Sequence, residues 1–211
     1  SLYYAAYQNI YAKPGNMTRG VDEVTADGMT LRKIDRLIEA LRDESYHPKP
    51  ARRIYIPKKN GKFRPLGIQS FDDKLVQEVI RMILESIYED DFEDCSCGFR
   101  PGRSCHTALT QIQRCYTGSR WFIEGDIQGF FDNIDHEVMI GILAERIKDE
   151  RFLRLIRKFL KAGYLEDWKY HNTYSGTPQG GIISPVLANI YLDKLDRYME
   201  ELKTQFDKGV R

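Results

Sequence analysis

A chain of 211 residues with 32 basic and 31 acidic side chains carries a formal charge of +1. Aliphatic, aromatic and cysteine residues make up 42%, and the 16 glycines bring the apolar share to about half, an ordinary globular composition. This excludes a disordered tail, a collagen-like repeat and a histone-like polycation, and the length suits one core with at most a second lobe.

Residues 1–30 are rich in tyrosine and turn formers, with Pro14-Gly15-Asn16 and Asp27-Gly28 as breaks. Leu31, Ile34, Leu37, Ile38 and Leu41 follow helical spacing behind Thr30 as a cap. Residues 52–56 and 62–68 read as strands joined by Asn60-Gly61, the strongest short hairpin signal. Ser70 precedes a long helix with the stripe Leu75, Val76, Val79, Ile80, Ile83 and Ile87. Residues 120–126 form an apolar strand ending in a carboxylate. Helices follow over about 135–147 and 150–162. Trp168, Tyr170 and Tyr174 flank His171-Asn172 in a second hairpin. A last helix starts near Ile182, has Pro185 in its first turn, and aligns Leu187, Tyr191, Leu195, Tyr198, Leu202 and Phe206. No repeat or low-complexity linker interrupts the chain. The fold class expected is α+β.

The apolar runs, such as residues 186–192, fall far short of the roughly 20 residues a membrane helix needs. No basic-then-apolar leader opens the chain, which starts at Ser1 without Met, as a trimmed piece would. Cys95, Cys97, Cys105 and Cys115 crowd together, but Cys95-x-Cys97 is tighter than a zinc knuckle and the chain has core enough without disulfides. Reduced thiols in a cytosolic compartment are the reading.

The near-zero net charge hides segregation. Residues 49–64 hold seven bases and no acid: Lys49, Arg52, Arg53, Lys58, Lys59, Lys62 and Arg64. Residues 85–94 hold six acids and no base, and residues 146–161 hold seven bases against Asp149 and Glu150. Two basic blocks at neutral overall charge point to a localised polyanion surface.

Three constellations carry chemistry. The strand at 120–126 delivers Asp126 to its end, with Phe130-Phe131 one turn on; such a carboxylate holds Mg²⁺ beside substrate phosphates. Asp132 and Asp135 suit the N-terminus of the next helix. Residues 176–185, with Gln179 among three glycines and two prolines, shape a loop opening a helix, where backbone N–H groups attract phosphate. In the 56–68 hairpin, Arg64 can fork onto phosphate oxygens and Lys58 adds a point charge.

The order of these motifs resembles reverse transcriptases of the group II intron maturase family, over essentially the whole chain. The matching strings are NIYAKPGNMTRGVD from Asn9, IPKKNGKFRPLGI from Ile56, CGFRPGRSCHTAL from Cys97, FIEGDIQGFFDNIDH from Phe122 and GTPQGGIISPVLANIYLDKLD from Gly176. The resemblance implies a right-hand fold with fingers and an incomplete palm: 1–30 an N-terminal extension, 31–118 fingers, and 119–211 partial palm with a basic helical insertion at about 146–162. It implies Asp126 as a catalytic metal ligand, with the Ile127 carbonyl as a second contact to two Mg²⁺ ions. Phe131 is the steric gate against a ribose 2′-hydroxyl, Gln179 and Gly180 line the nucleotide pocket, and Lys58 and Arg64 clasp the triphosphate of a dNTP.

Arg100 and Arg103 fall near template and palm, where a nucleic-acid and a structural role both remain open. Lys13, Arg19, Lys49, Arg52, Arg53, Arg151, Arg154, Arg157, Lys158 and Lys161 are the remaining candidates for RNA contact. The implied partners are group II intron RNA and an RNA template with a DNA primer, without a membrane, in the bacterial cytosol or an organelle matrix; dimerisation is left open. Retron, diversity-generating and CRISPR-associated reverse transcriptases, and a non-catalytic splicing scaffold, stand as alternatives.

The chain departs from the family at the Tyr-x-Asp-Asp hairpin. Its one such string, Tyr88-Glu89-Asp90-Asp91, continues a helical stripe and precedes Asp126. The expectation is a fragment that binds RNA without polymerising.

Overall fold

A computed structural model describes residues 2–59, 61–167, 169–177 and 180–209, with the Asp207 side chain left aside. Asn60, Trp168, Pro178 and Gln179, all singled out from the sequence, lie outside the described residues. The chain divides into two compact units, residues 1–83 with 129–184, and residues 84–128 with 185–211. Each is assembled from segments on both sides of residue 118.

The first unit opens with helix α1 (Leu2–Tyr11), which the sequence reading did not contain. Its buried residues are Ala6 and Ile10, one turn apart on a tyrosine-rich surface, too narrow a stripe to read as periodicity. Helix α2 (Leu31–Arg42) starts where expected, the Thr30 hydroxyl accepting a 3.3 Å bond from the Lys33 amide. Ile34 is buried, but Leu31 turns to solvent. Strands β1 (Ala51–Pro57) and β2 (Phe63–Ile68) pair antiparallel, with Arg53 opposite Gly67 and Ile56 opposite Arg64. Helix α3 (Phe71–Tyr88) follows the Ser70 cap and seats Phe71, Leu75 and Val79 against Ala6, Ile10, Ala26 and Ile34.

After the short turn α5 (Phe130–Asn133), helix α6 (His136–Arg146) is capped by Asp135, which accepts from the Glu137 and Val138 amides. Asp132 lies within α5, and Asp135 takes the cap of α6. Helix α7 (Glu150–Leu160) is capped by Asp149 in the same manner. It buries Leu153, Ile156, Phe159 and Leu160, each side chain stabilising the unit by about 1.5–3 kcal/mol. The helix expected at about 150–162 thus packs an apolar face into the core and leaves its basic residues on the other face.

Strands β3 (Tyr164–Glu166) and β4 (Lys169–His171) form the second hairpin, but its reversal falls between Glu166 and Lys169, ahead of His171-Asn172. Asp167 takes a positive φ of 49° there. β3 also pairs parallel with β1, giving the order β2-β1-β3-β4.

The second unit holds the end of α3, a 3₁₀ turn over Glu89–Asp91, helix α4 (Cys105–Cys115) and most of helix α8 (Ser184–Gly209). The Ser104-Thr107 capping box starts α4, another element the sequence reading lacked. α8 begins at Ser184, with Pro185 in its first turn. Val186, Leu187, Ala188 and Ile190 are buried, whereas Tyr198, Leu202 and Phe206 of the expected stripe are exposed. The apolar stretch read as a strand at 120–126 has no regular structure. Trp121, Phe122 and Ile123 are 89%, 82% and 93% exposed. A strand is defined by its ladder, and no described segment pairs with this one.

Candidate active site

Two glycines bring the expected nucleotide-binding elements of the first unit together. Gly180 has φ +101°, and a Cβ there would stand 2.6 Å from the Leu66 methyl and 2.9 Å from the Gly67 carbonyl. The loop opening α8 therefore rests on β2, the strand carrying exposed Arg64. Gly176 has φ +83°, and a Cβ there would overlap the Phe131 carbonyl. Its amide donates to the Ile134 carbonyl at 2.7 Å, and the Thr177 amide donates to the Phe131 carbonyl at 2.7 Å. The Ser175 hydroxyl adds a 2.9 Å bond to the Asp132 carbonyl. His136, buried in α6, places Nε2 2.7 Å from the Gly176 carbonyl. This histidine was missed from the sequence, where nothing but its place after the Asp135 cap marks it.

Phe131 is half-buried and meets Phe130 edge-on at 5.5 Å between centroids. Lys58 is exposed at the base of the first hairpin, where its amide donates to the Lys62 carbonyl at 2.6 Å. Asp126 and Ile127 belong to the exposed segment of the second unit. One carboxylate and one carbonyl do not make a Mg²⁺ pair site, since Mg²⁺ requires further carboxylates, phosphates or waters in octahedral array. Among the described residues no group of three or more His, Cys, Asp or Glu side chains surrounds a common point. Tyr88-Glu89-Asp90-Asp91 is the end of α3 running into the 3₁₀ turn, with no hairpin.

The candidate RNA-binding cations behave unlike a free basic surface. Arg100 is buried. Its guanidinium donates to the Glu89 carboxylate (2.9 Å) and to the carbonyls of Glu93, Ser96 and Glu89, and lies over the Phe92 ring. Of the two roles left open for this residue, these contacts suit the structural one: Arg100 ties together the loop after α3. Arg103 pairs with Asp94 at 2.8 Å, holding that carboxyl below the usual carboxylate range. The Lys158 ammonium donates to the Glu44 and Tyr46 carbonyls at 2.6 and 2.8 Å.

Arg151 and Arg154 converge on Glu44, the latter through two 2.9 Å bonds. Arg157 pairs with Glu137, Lys49 with Asp22 and Arg19 with Glu23. Arg52 donates to the Arg19 carbonyl at 2.8 Å, and Arg53 stands 3.9 Å from Glu166. Lys13 and Lys161 are exposed. Five of the fourteen cations in the two basic blocks, Lys49, Arg53, Arg151, Arg154 and Arg157, thus meet carboxylates brought from other segments. Cys95, Cys97, Cys105 and Cys115 are free thiols; burial pushes that of Cys95 up.

The reverse transcriptase (RNA-dependent DNA polymerase) family profile matches residues 56–206. The group II intron-encoded protein LtrA of Lactococcus lactis subsp. cremoris is 60% identical over 208 residues, 98% of this chain and 35% of its own length. An uncharacterized 91 kDa protein in cob intron of Schizosaccharomyces pombe is 50% identical over 206 residues, 98% of this chain and 26% of its own. The chain thus spans about a third or less of these relatives. Among solved structures, a chain of a partial Cas6-RT-Cas1–Cas2 complex superposes with a TM-score of 0.61 at 22% identity, covering 95% of this chain and 34% of that one, a likeness of fold. No helix among the described residues is long and apolar enough to cross a membrane. The family match over most of the chain, joined to the α+β architecture, means that this chain belongs to the reverse transcriptase (RNA-dependent DNA polymerase) family and has its fold.

Proposed function

We propose that the chain is the fingers and first palm portion of an RNA-directed DNA polymerase encoded by a group II intron, a protein that also binds intron RNA and assists its splicing. In that reaction a primer 3′-hydroxyl attacks the α-phosphate of a dNTP on an RNA template, and pyrophosphate leaves. Arg64 and Lys58 neutralise the triphosphate, Phe131 lies beneath the sugar, and the Gly180 backbone with Gln179 closes the pocket. In the longer protein, Asp126 and the Ile127 carbonyl supply part of the ligand set for two Mg²⁺ ions. The 211-residue chain by itself binds RNA without polymerising, because a lone carboxylate does not hold two such ions. A bacterial cytosol or organelle matrix belongs to the same reading.

The observation that carries it is the convergence on β2 and α5. Gly180 abuts Leu66 two residues from Arg64, while Gly176 and Thr177 are hydrogen-bonded to the Phe131 turn. The intron-encoded relatives support the substrate class. The test is Arg64→Ala in the longer protein. Losing charge-assisted hydrogen bonds worth about 1.5–3 kcal/mol raises KM for dNTP by roughly 10–150-fold, with RNA affinity little changed. An unaltered KM overturns the assignment.

A further inference from the structure

We propose a second nucleotide site on the first unit: a pocket between β1, β3 and residues 172–177 takes the base of an unpaired nucleotide, stacked against Arg53 and Tyr174. The cavity measures about 380 Å³, within the range of small-ligand sites. Side chains alternate across a strand. Arg64 and Leu66 therefore face one side of β2, with Gly180 against Leu66, while Pro65 and Gly67 face the other and line this cavity. Arg53, opposite Gly67 in the ladder, shares their face. The cavity is thus on the sheet face opposite the proposed triphosphate residues.

Three features suit a nucleobase. First, Arg53 is anchored over an aromatic ring: its guanidinium carbon lies 3.3 Å from the Tyr164 ring centroid, and Tyr164 stacks on His171 at 4.9 Å and 13°. Glu166 stands 3.9 Å from the same guanidinium. A planar cation held in this manner is a stacking surface for an unpaired base. Second, Tyr174 is 86% exposed at the cavity wall, a large aromatic face left in water, with its hydroxyl accepting from the Asn172 amide at 3.3 Å. Third, Thr177 is 3% exposed, lines the same cavity, and its hydroxyl oxygen has no hydrogen-bond partner. A buried hydroxyl without a partner is a destabilising feature, and a rotation of the Thr177 side chain toward the cavity would let a ligand's polar edge relieve it. The ring nitrogens and exocyclic groups of a base supply that edge. The base comes either from an unpaired position in RNA or from a free nucleotide, and the two share this chemistry.

The experiment uses a hairpin RNA with one bulged adenosine, the same RNA with an abasic bulge, and adenosine 5′-monophosphate, each titrated calorimetrically. The bulged RNA binds about tenfold more tightly than the abasic one, the loss expected for one stacked base. Tyr174→Ala removes that difference while leaving abasic RNA binding unchanged. Thr177→Val weakens the bulged RNA several-fold while the melting temperature of the unliganded protein stays level or rises, a combination that a purely structural threonine would not give. Binding of the monophosphate with the same sensitivity to both substitutions identifies a free nucleotide as an occupant; discrimination in the RNA alone identifies the RNA. Equal affinity for the two RNAs together with no binding of the monophosphate overturns the proposal, as does a Tyr174→Ala loss that is equal for both RNAs. The proposal does not rest on the polymerase reading, and Arg64→Ala leaves the bulged-to-abasic ratio unchanged.

Discussion

The carbonyl oxygen of Phe131 accepts a 2.7 Å hydrogen bond from the amide of Thr177. With the Gly176 amide on the Ile134 carbonyl, also at 2.7 Å, it forms a two-point clamp between the aromatic turn and the loop leading to α8. The two motifs are far apart in sequence, but their backbones are joined by these two hydrogen bonds.

The clamp makes Gly176 sensitive. Alanine there meets a left-handed φ of +83° and a Cβ within 2.7 Å of the Asp132 Cα. Strain in that region costs about 1–3 kcal/mol before any overlap is counted. Gly176→Ala is expected to lower stability by more than about 2 kcal/mol, read as the midpoint shift in urea unfolding. A shift equivalent to less than about 0.5 kcal/mol, the scale of an ordinary surface substitution, would sink the clamp.

Asp126→Asn in the longer protein should abolish primer extension while leaving RNA affinity nearly intact. An amide keeps the shape and removes the negative charge that attracts a hard cation. Primer extension and filter binding run side by side check it, and near-normal synthesis by the variant is the result that removes Asp126 from the metal site.

Phe131→Val should widen the space beneath the sugar and raise ribonucleotide use. A pocket change of about 1–3 kcal/mol corresponds to roughly 10–200-fold in selectivity. Single-nucleotide incorporation with matched ribo- and deoxynucleotides measures it; unchanged discrimination would mean that Phe131 serves packing against Phe130.

Because Lys49, Arg53, Arg151, Arg154 and Arg157 meet carboxylates of this chain, RNA binding should depend on salt less steeply than the sequence suggests. Five phosphate contacts would give a log–log slope near −3.5, whereas about three give about −2 at roughly −0.7 per phosphate on single strands. Glu44→Gln releases Arg151 and Arg154 and should steepen the slope by about 1. Glu44 is held below the usual carboxylate range, chiefly by the Arg154 hydrogen bond. A carboxylate lowered in this way contributes its ion pair above its unfolded value of about 4.3 and loses it as pH falls through the lower folded value. Wild type and variant should therefore converge in strongly acidic buffer and differ at neutral pH. Identical slopes at pH 7 would show that these arginines face away from RNA.

The caps were legible in the sequence because each is local. Thr30, Asp135 and Asp149 bond amides within their own first turns, and the hairpin at 57–63 is local as well. The stripe of α3 through Leu75 and Val79 was also plain, being broad enough for periodicity to show. What failed was decided at a distance. The segment at 120–126 has the composition of a strand, but a strand exists only in its ladder. The cations of α7 looked like a polyanion surface because Glu44, which pairs with two of them, lies some hundred residues upstream. The role of Arg100 stayed open for the same reason: the carbonyls that surround it are brought near by a loop, which no pattern announces. Of the candidate site, the motif loops were readable, but the contact of Gly180 with Leu66 and the partners of His136 were not.

The bare run Trp121-Phe122-Ile123 has a consequence for handling the protein. Three bulky β-formers in water, unladdered, are a template for intermolecular cross-β stacking. Arg120, Glu124 and Asp126 bracket the run and act as gatekeepers, since in-register stacking would pile like charges on one another. Asp126 thus guards colloidal behaviour whatever else it does, and Asp126→Asn preparations will self-associate at lower concentration than wild type. Sedimentation of the two proteins side by side therefore belongs with any comparison of their rates.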